Sequence, residues 1–138
     1  MSTAAVRAIL EARLGTWAAA QSPALRVAYE NVPFTPISGE TYVVAHTLPA
    51  DTESLDLKGD HRGYRGVFQA NIVRPAGTGS GPARTQAASL ALHFPMNARY
   101  TSGSFTVQVV SPASDGPGIT ADESYTVPVS FRYRADTI

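Results

Sequence analysis

Residues 62–74 (RGYRGVFQANIVR) form the longest stretch of the chain in which apolar and polar side chains alternate. One face of this stretch is apolar and carries Tyr64, Phe68, Ala70 and Ile72. The other face is polar and carries Arg65, Gln69 and Asn71. Because successive side chains of a strand point to opposite sides, this period of two predicts a long strand with one face in a core and the other toward solvent.

Shorter stretches with the same period lie on both sides of it. Strands are predicted at residues 26–29, 41–48, 105–110 and 125–134, with residues 99–100 pairing beside the third of these. Pro128 lies inside the last strand, and because proline has no N–H, it predicts an edge position or a bulge there. Residues 32–36 (VPFTP) and 111–123 are rich in proline or glycine, which predicts irregular segments.

Two segments instead show the 3.6-residue period of amphipathic helices. The first, residues 3–20, has an apolar stripe of Val6, Ile9, Leu10, Leu14 and Trp17. The second, residues 82–94, has a stripe of Ala83, Ala87, Leu90, Ala91 and Phe94. Ser2 or Thr3 is the candidate cap of the first helix and Ser80 that of the second, which Pro95 ends.

The predicted order of elements is α-β-β-β-α-β-β. It indicates an α+β fold of two layers, in which two helices pack on one face of a mostly antiparallel sheet. The 138 residues and 14.6 kDa allow one domain, residues 1–138, with a single core. The other face of the sheet is expected to stay open, and its edge strands to offer unpaired backbone groups for association.

Composition excludes several classes of protein. The chain has no cysteine, which rules out disulfides, thiolate zinc sites and cysteine nucleophiles. Lys+Arg and Asp+Glu both number 11, so no basic excess points to nucleic acid, and no apolar run is long enough to span a membrane. Charged residues make up only 16%, against roughly 25% in a typical soluble domain. Such a surface suits a subunit that is partly covered in an assembly, although some monomers share it.

Motifs for catalysis or for cofactor or metal binding fail on their details. Residues 77–81 (GTGSG) lie between a strand and a helix, but they lack the Gly-Lys-Ser/Thr of a P-loop, and Pro82 replaces the third glycine of a dinucleotide fingerprint. The carboxylates of residues 49–61 do not have EF-hand spacing. The three histidines, His46, His61 and His93, have no ligand spacing. No catalytic residue, cofactor or metal is therefore predicted, and an enzyme is unsupported.

Residues 49–61 (PADTESLDLKGDH) form an acidic loop between two predicted strands, too long for a tight hairpin turn. Leu55 and Leu57 alternate with charged residues, which predicts that part of the loop is an extended arm. The junction at residues 60–66 (DHRGYRG) then combines charge, an aromatic ring and two glycines. This junction is either the solvated start of a strand or a protein–protein contact, where Arg and Tyr are frequent anchors.

Four stretches together are distinctive: the Ala-rich opening helix with residues 14–17 (LGTW), and residues 30–36 (ENVPFTP), 48–69 (LPADTESLDLKGDHRGYRGVFQ) and 125–137 (YTVPVSFRYRADT). In them the chain resembles bacteriophage and prophage tail terminators, also described as tail completion or minor tail protein U-like proteins. The third stretch is the most specific, and the four reach from one end of the chain to the other. The family has no catalytic motif to transfer, so the resemblance implies a structural protein.

The resemblance implies a subunit that closes into a ring, typically a hexamer, on the end of the tail tube. There it stops polymerisation and meets the head connector. A monomer in isolation is allowed, because a terminator must not close before the tube is present. The implied partners are other copies of the chain, the tail tube protein and the head–tail connector protein, with no specific nucleic acid and no membrane. The implied location is the virion tail, and the bacterial host cytoplasm during assembly.

A ring needs one patch of a subunit to meet a different patch on its neighbour. We expect the acidic loop of one subunit to face basic side chains on the next, in rim ion pairs that set register more than affinity. The residues expected at this contact are Asp51, Glu53, Asp56, Asp60, Arg62, Tyr64, Arg65, Arg132 and Arg134.

Two other functions stay open on the sequence alone. One is a monomeric adaptor that binds a partner along a sheet edge by strand addition. The other, with the least support, is a small hydrolase or nucleotide-binding enzyme.

Overall fold

The computed structural model describes residues 2–137, which form two helices and an eight-stranded sheet. The helices are α1 (Thr3–Ala19) and α2 (Gly81–His93). The strands are β1 (Arg26–Ala28), β2 (Tyr42–Pro49), β3 (Arg62–Pro75), β4 (Arg99–Ser102), β5 (Phe105–Val109), β6 (Ser114–Asp115), β7 (Ile119–Thr120) and β8 (Ser124–Thr137). Their spatial order is β1-β2-β3-β8-β5-β4, with the short β6 and β7 also paired to β8. This confirms the predicted α+β class.

The sheet is antiparallel except where β1 pairs with β2. The two long strands, β3 and β8, pair over their full lengths, with Phe68 opposite Phe131 and Ala70 opposite Val129. All four of these side chains are buried. Because side chains alternate along a strand, the residues between them point to the opposite, open face of the sheet.

Both helices cover the same face of the sheet. Their inward residues belong to one core cluster with the buried strand residues: Val6, Leu10, Leu14 and Trp17 of α1, and Ala83, Ala87 and Leu90 of α2. Hydrogen bonds also join the helices to each other, and the Arg13 guanidinium donates two of them to the His93 carbonyl, at 3.1 and 3.2 Å. Trp17 Nε1 donates to Ser89 Oγ at 3.1 Å, and His93 Nε2 donates to the Arg13 carbonyl at 2.9 Å. The two-layer arrangement predicted from the helical periods is confirmed.

Aromatic rings fill the centre of the core. Phe94, directly after α2, lies 4.8 Å from the ring centre of Phe131 and 6.0 Å from that of Phe68. The Tyr100 ring meets Phe94 edge-on at 6.1 Å. These rings join α2 to the middle of the sheet, which fixes the orientation of the helix on the strands.

The two predicted helix caps differ in outcome. Ser2 caps α1, since its Oγ accepts the N–H of Ala5 at 3.2 Å. Ser80 precedes α2, but its side chain makes no capping hydrogen bond, so that prediction is wrong. Ser80 itself has helical backbone angles (φ −86°, ψ −19°), whereas a capping residue is extended. Pro82 also removes one of the N–H groups that a cap would satisfy.

β8 is an interior strand, so the prediction that Pro128 marks a sheet edge is wrong. The predicted alternative, a bulge, comes closer. Residues 116–118, between β6 and β7, stand opposite only two residues of β8. The Pro128 carbonyl accepts the Gly116 N–H at 2.8 Å, so the side that lacks a donor faces this irregular segment. The proline therefore leaves the β3–β8 ladder intact.

The predicted loop 111–123 is partly wrong, because β6 and β7 lie within it. Each of these strands has only two residues, and each pairs with β8.

Among residues 2–137, neither helix has the length and apolar character that crossing a bilayer requires.

Candidate assembly interface

The acidic arm, residues 49–61, runs back along the first residues of β3 in its own subunit. The Ala50 N–H donates to the Arg65 carbonyl at 2.8 Å. Glu53 and Gly63 exchange two backbone hydrogen bonds, of 2.9 and 2.7 Å. The first half of the arm thereby continues the β2–β3 ladder and is held to the sheet.

The tip of the arm is a turn at residues 56–59, and not the extended segment predicted from its alternating leucines. Asp56 sets this turn. Its Oδ1 accepts the N–H of Asp60 at 2.9 Å, and its Oδ2 accepts that of His61 at 3.2 Å. Because an Asp side chain that binds nearby backbone N–H groups favours a turn over a strand, Asp56 is engaged within its own subunit.

His61 connects the arm to the end of β8. The Leu55 N–H donates to His61 Nδ1 at 3.0 Å. Since Nδ1 accepts, the ring proton is on Nε2, which donates to Asp136 Oδ1 at 2.9 Å. One imidazole thus joins two segments that are 75 residues apart in the chain.

Asp136 also accepts a hydrogen bond from Arg134, its neighbour on the same face of β8. Arg134 Nε lies 2.8 Å from Asp136 Oδ2. The hydrogen bond from Arg134, together with that from His61, lowers the pKa of Asp136 below its usual value. Asp136 is therefore ionised at neutral pH and draws the arm and β8 together. Sequence reasoning missed this residue, although alternation along residues 132–136 puts it on the face that carries Arg132 and Arg134.

Arg65 and Arg134 face each other across the β3–β8 ladder on the open face. Glu53 of the arm lies 2.5 Å from Arg65, with both side chains about half exposed. Each arginine is thus paired with a carboxylate of its own chain. The structure pairs Glu53 with Arg65 inside one subunit, whereas the sequence led us to expect the arm of one subunit to face Arg65 and Arg134 of the next.

Three charged side chains of the predicted contact have no partner within residues 2–137: Asp51, Asp60 and Arg132. All three are exposed. Arg132 lies on the open face, and its backbone N–H donates to Ser111 Oγ at 2.8 Å. These three groups can pair with a neighbouring molecule without breaking an ion pair inside their own subunit.

Tyr64 and Arg62 lie apart from the arginines of the open face. The Tyr64 ring is half-buried on the helical side, where it meets Phe105 edge-on at 6.1 Å. The Arg62 guanidinium donates to the carbonyls of Gly59 and His61, the latter at 2.8 Å, and so closes the base of the tip turn. Both side chains serve the fold of this end of the subunit.

No set of three His, Asp or Glu side chains in residues 2–137 is placed to hold a metal ion. His93 binds a helix backbone, His61 binds the arm and His46 lies on β2, so the histidines do not converge. In the Gly-rich segment, Gly77 and Gly79 have positive φ values of 86° and 76°, as in a turn.

Comparison with known proteins identifies the family of the chain. Residues 5–133 match the family described as phage tail terminator protein. One solved protein structure is 46% identical to this chain, over 100% of this chain and 98% of the other, and superimposes with a TM-score of 0.84. No curated protein matches the chain. With its α+β fold, the chain belongs to the phage tail terminator family, and it is a structural protein of the phage tail that interacts with other tail components.

Proposed function

We propose that this protein caps the finished tail tube, ends its polymerisation and presents a surface to the head connector. The observation that carries the proposal is the family match over residues 5–133. The protein would act by binding alone, with the tube protein, the connector protein and further copies of itself as partners. It would assemble in the host cytoplasm and remain in the virion tail.

A ring of copies, with six as the expected number, fits this task because it can match the end of a tube. Closure requires a heterologous contact, in which two different patches of each subunit meet. We assign one patch to the acidic arm and the other to the arginine-bearing open face. Asp51 and Asp60 on the arm, and Arg132 on the open face, are exposed charges without partners in the described chain, which supports this assignment.

The arm carboxylates differ in what they can contribute. Asp56 holds its own turn and Glu53 is paired with Arg65, so reversing either charge would disturb the subunit itself. Reversal of the unpaired Asp51 and Asp60 is the cleaner test. Asp51→Arg/Asp60→Arg should weaken assembly and leave the unfolding midpoint unchanged, whereas Asp122→Arg, an exposed carboxylate outside the arm, should affect neither.

Tail length tests the function itself. Phage particles made without this gene should carry overlong tubes in electron micrographs, and supplying the wild-type protein should restore a uniform length. Tails of normal length in the absence of the gene would overturn the proposal. The monomeric adaptor predicts intact tails in that experiment, so the same images separate the two functions.

A further inference from the structure

A groove of about 440 Å³ crosses the open face of the sheet beside the acidic arm. Its charged lining comes from Arg65, Arg132 and Arg134, and the rest of its lining from Ala50, Gly66, Val67, Val110 and Tyr133. Val67 stands opposite Arg132 in the β3–β8 register, and the Val110 N–H donates to the Arg132 carbonyl at 2.9 Å. The groove therefore spans three adjacent segments of the sheet.

The three arginines around the groove differ in whether a carboxylate of the same chain neutralises them. Glu53 pairs with Arg65 at 2.5 Å, and Asp136 pairs with Arg134 at 2.8 Å. Arg132 has no such partner among the described residues. An occupant that complements the groove would thus bring an apolar side chain for the floor and one carboxylate for Arg132.

The tip of the acidic arm has this combination. Leu57 is fully exposed and Leu55 is 68% exposed, on a segment whose other side chains are polar. Asp60, three residues beyond Leu57, is an exposed carboxylate without an internal partner. The turn held by Asp56 presents these side chains in a fixed shape, which lowers the entropy that binding would cost.

Ala50 at the base of the arm lines the groove, but the arm tip of the same chain does not enter it. The backbone bonds between Glu53 and Gly63 hold the arm along β3, and His61 ties it to Asp136. In this position both leucines remain in solvent. A second copy of the chain can offer the same tip, and a contact of tip to groove is heterologous, as a ring requires.

We infer that the arm tip of one subunit docks in the groove of the next, with Leu57 as its anchor beside Val67 and Val110. Asp60 of the tip then faces Arg132. The inference rests on the proposed ring and names the contact that closes it. Its main anchor is apolar, because one buried leucine contributes more than an exposed ion pair.

Disulfide trapping tests this contact, since the chain has no cysteine of its own. The pair Leu57→Cys/Val110→Cys, oxidised in assembled tails, should form a ladder of linked subunits on a non-reducing gel. The matched control is Leu57→Cys/Leu92→Cys, in which the second site is an exposed leucine on α2. It should give no ladder beyond dimers. Absence of the ladder, a disulfide within one chain, or equal ladders in both pairs would overturn the inference.

Tail length separates this inference from the proposed function. In phage lacking the gene, Leu57→Ser should fail to restore uniform tails, while Leu92→Ser should restore them. If tails lacking the gene are overlong and Leu57→Ser restores them fully, the contact is wrong and the capping function stands. If tails lacking the gene are normal, the proposed function itself fails.

Discussion

Arg65 of β3 stands directly opposite Arg134 of β8, so two positive charges face each other across the longest ladder of the sheet. Like charges in this arrangement destabilise a strand pair. Each is balanced by a carboxylate from elsewhere, Glu53 of the acidic arm for Arg65 and Asp136 for Arg134. The position of the arm is thereby coupled to the electrostatics of the sheet face.

The first prediction concerns Glu53. Glu53→Gln should lower the free energy of unfolding by about 0.5 kcal/mol at low salt, because Arg65 and Arg134 are then less well balanced and the pair is half exposed. Denaturant unfolding at low and high salt measures this, and the difference should shrink at high salt. The double variant Glu53→Gln/Arg65→Gln should regain the loss. Equal stability of Glu53→Gln and wild type at low salt would contradict the coupling.

The second prediction concerns pH. Arg134 and His61 hold the pKa of Asp136 below its usual 3.8. Because the folded pKa is lower than the unfolded one, the ionised carboxylate stabilises the fold above pH 3.8, and this stabilisation is lost as the pH falls through the folded pKa. Asp136→Asn should therefore lose less stability on acidification than wild type. Unfolding midpoints between neutral and acid pH measure this. The control Asp122→Asn should follow wild type, and an identical pH profile for Asp136→Asn would refute the claim.

The third prediction concerns Gly66 on β3. A methyl group there would overlap the Leu48 carbonyl oxygen and lie 2.7 Å from the Tyr133 hydroxyl. Gly66→Ala should cost roughly 1–3 kcal/mol, since backbone of the adjacent strand and a buried ring would have to move. Gly81→Ala is the matched control, because a methyl group at Gly81 meets nothing within 4 Å. Thermal unfolding compares them, and similar midpoints for the two variants would show that the close approach at Gly66 is relaxed.

The fourth prediction concerns the core. Phe94 is 2% exposed and contacts the rings of Phe68, Phe131 and Tyr100. Phe94→Ala should lower the free energy of unfolding by about 3–5 kcal/mol. Leu92→Ala, two residues earlier and 81% exposed, should change it by less than about 0.5 kcal/mol. Denaturant unfolding measures both. A small loss for Phe94→Ala would mean that the neighbouring rings close the cavity.

The sequence predicted the elements well where one face is buried. The alternation along residues 62–74 and the stripe from Val6 to Trp17 both reflect burial against a core, and the structure confirms the strand and helix that they indicate. The prediction failed where the structure of a residue depends on a segment that is distant in the sequence. Pro128 is tolerated inside the sheet only because the irregular segment opposite it needs no donor, and a local reading of β8 contains no trace of that segment.

The candidate site was predictable in its residue types and less so in its pairings. The cluster of charges around residues 51–65 is visible in the sequence, as is its mixture of signs. The pairings are different from the predicted ones. Asp56 accepts a backbone N–H of its own turn and does not pair with an arginine, and His61 hydrogen-bonds Asp136, 75 residues away in the chain. Neither contact follows from spacing, because the first is a choice between local and distant partners and the second depends on the strand order.

The central place of β8 has a consequence for synthesis. The ribosome produces β8 after every strand that it joins, including β3 and β5, which it separates in the sheet. Until β8 has left the exit tunnel, the edges of β3 and β5 that pair with it are unpaired, and the core lacks the buried β8 side chains Val127, Val129, Phe131, Tyr133 and Ala135. The sheet is therefore completed late, when β8 inserts between β3 and β5, and until then the unpaired edges of both strands are open to contacts with other chains.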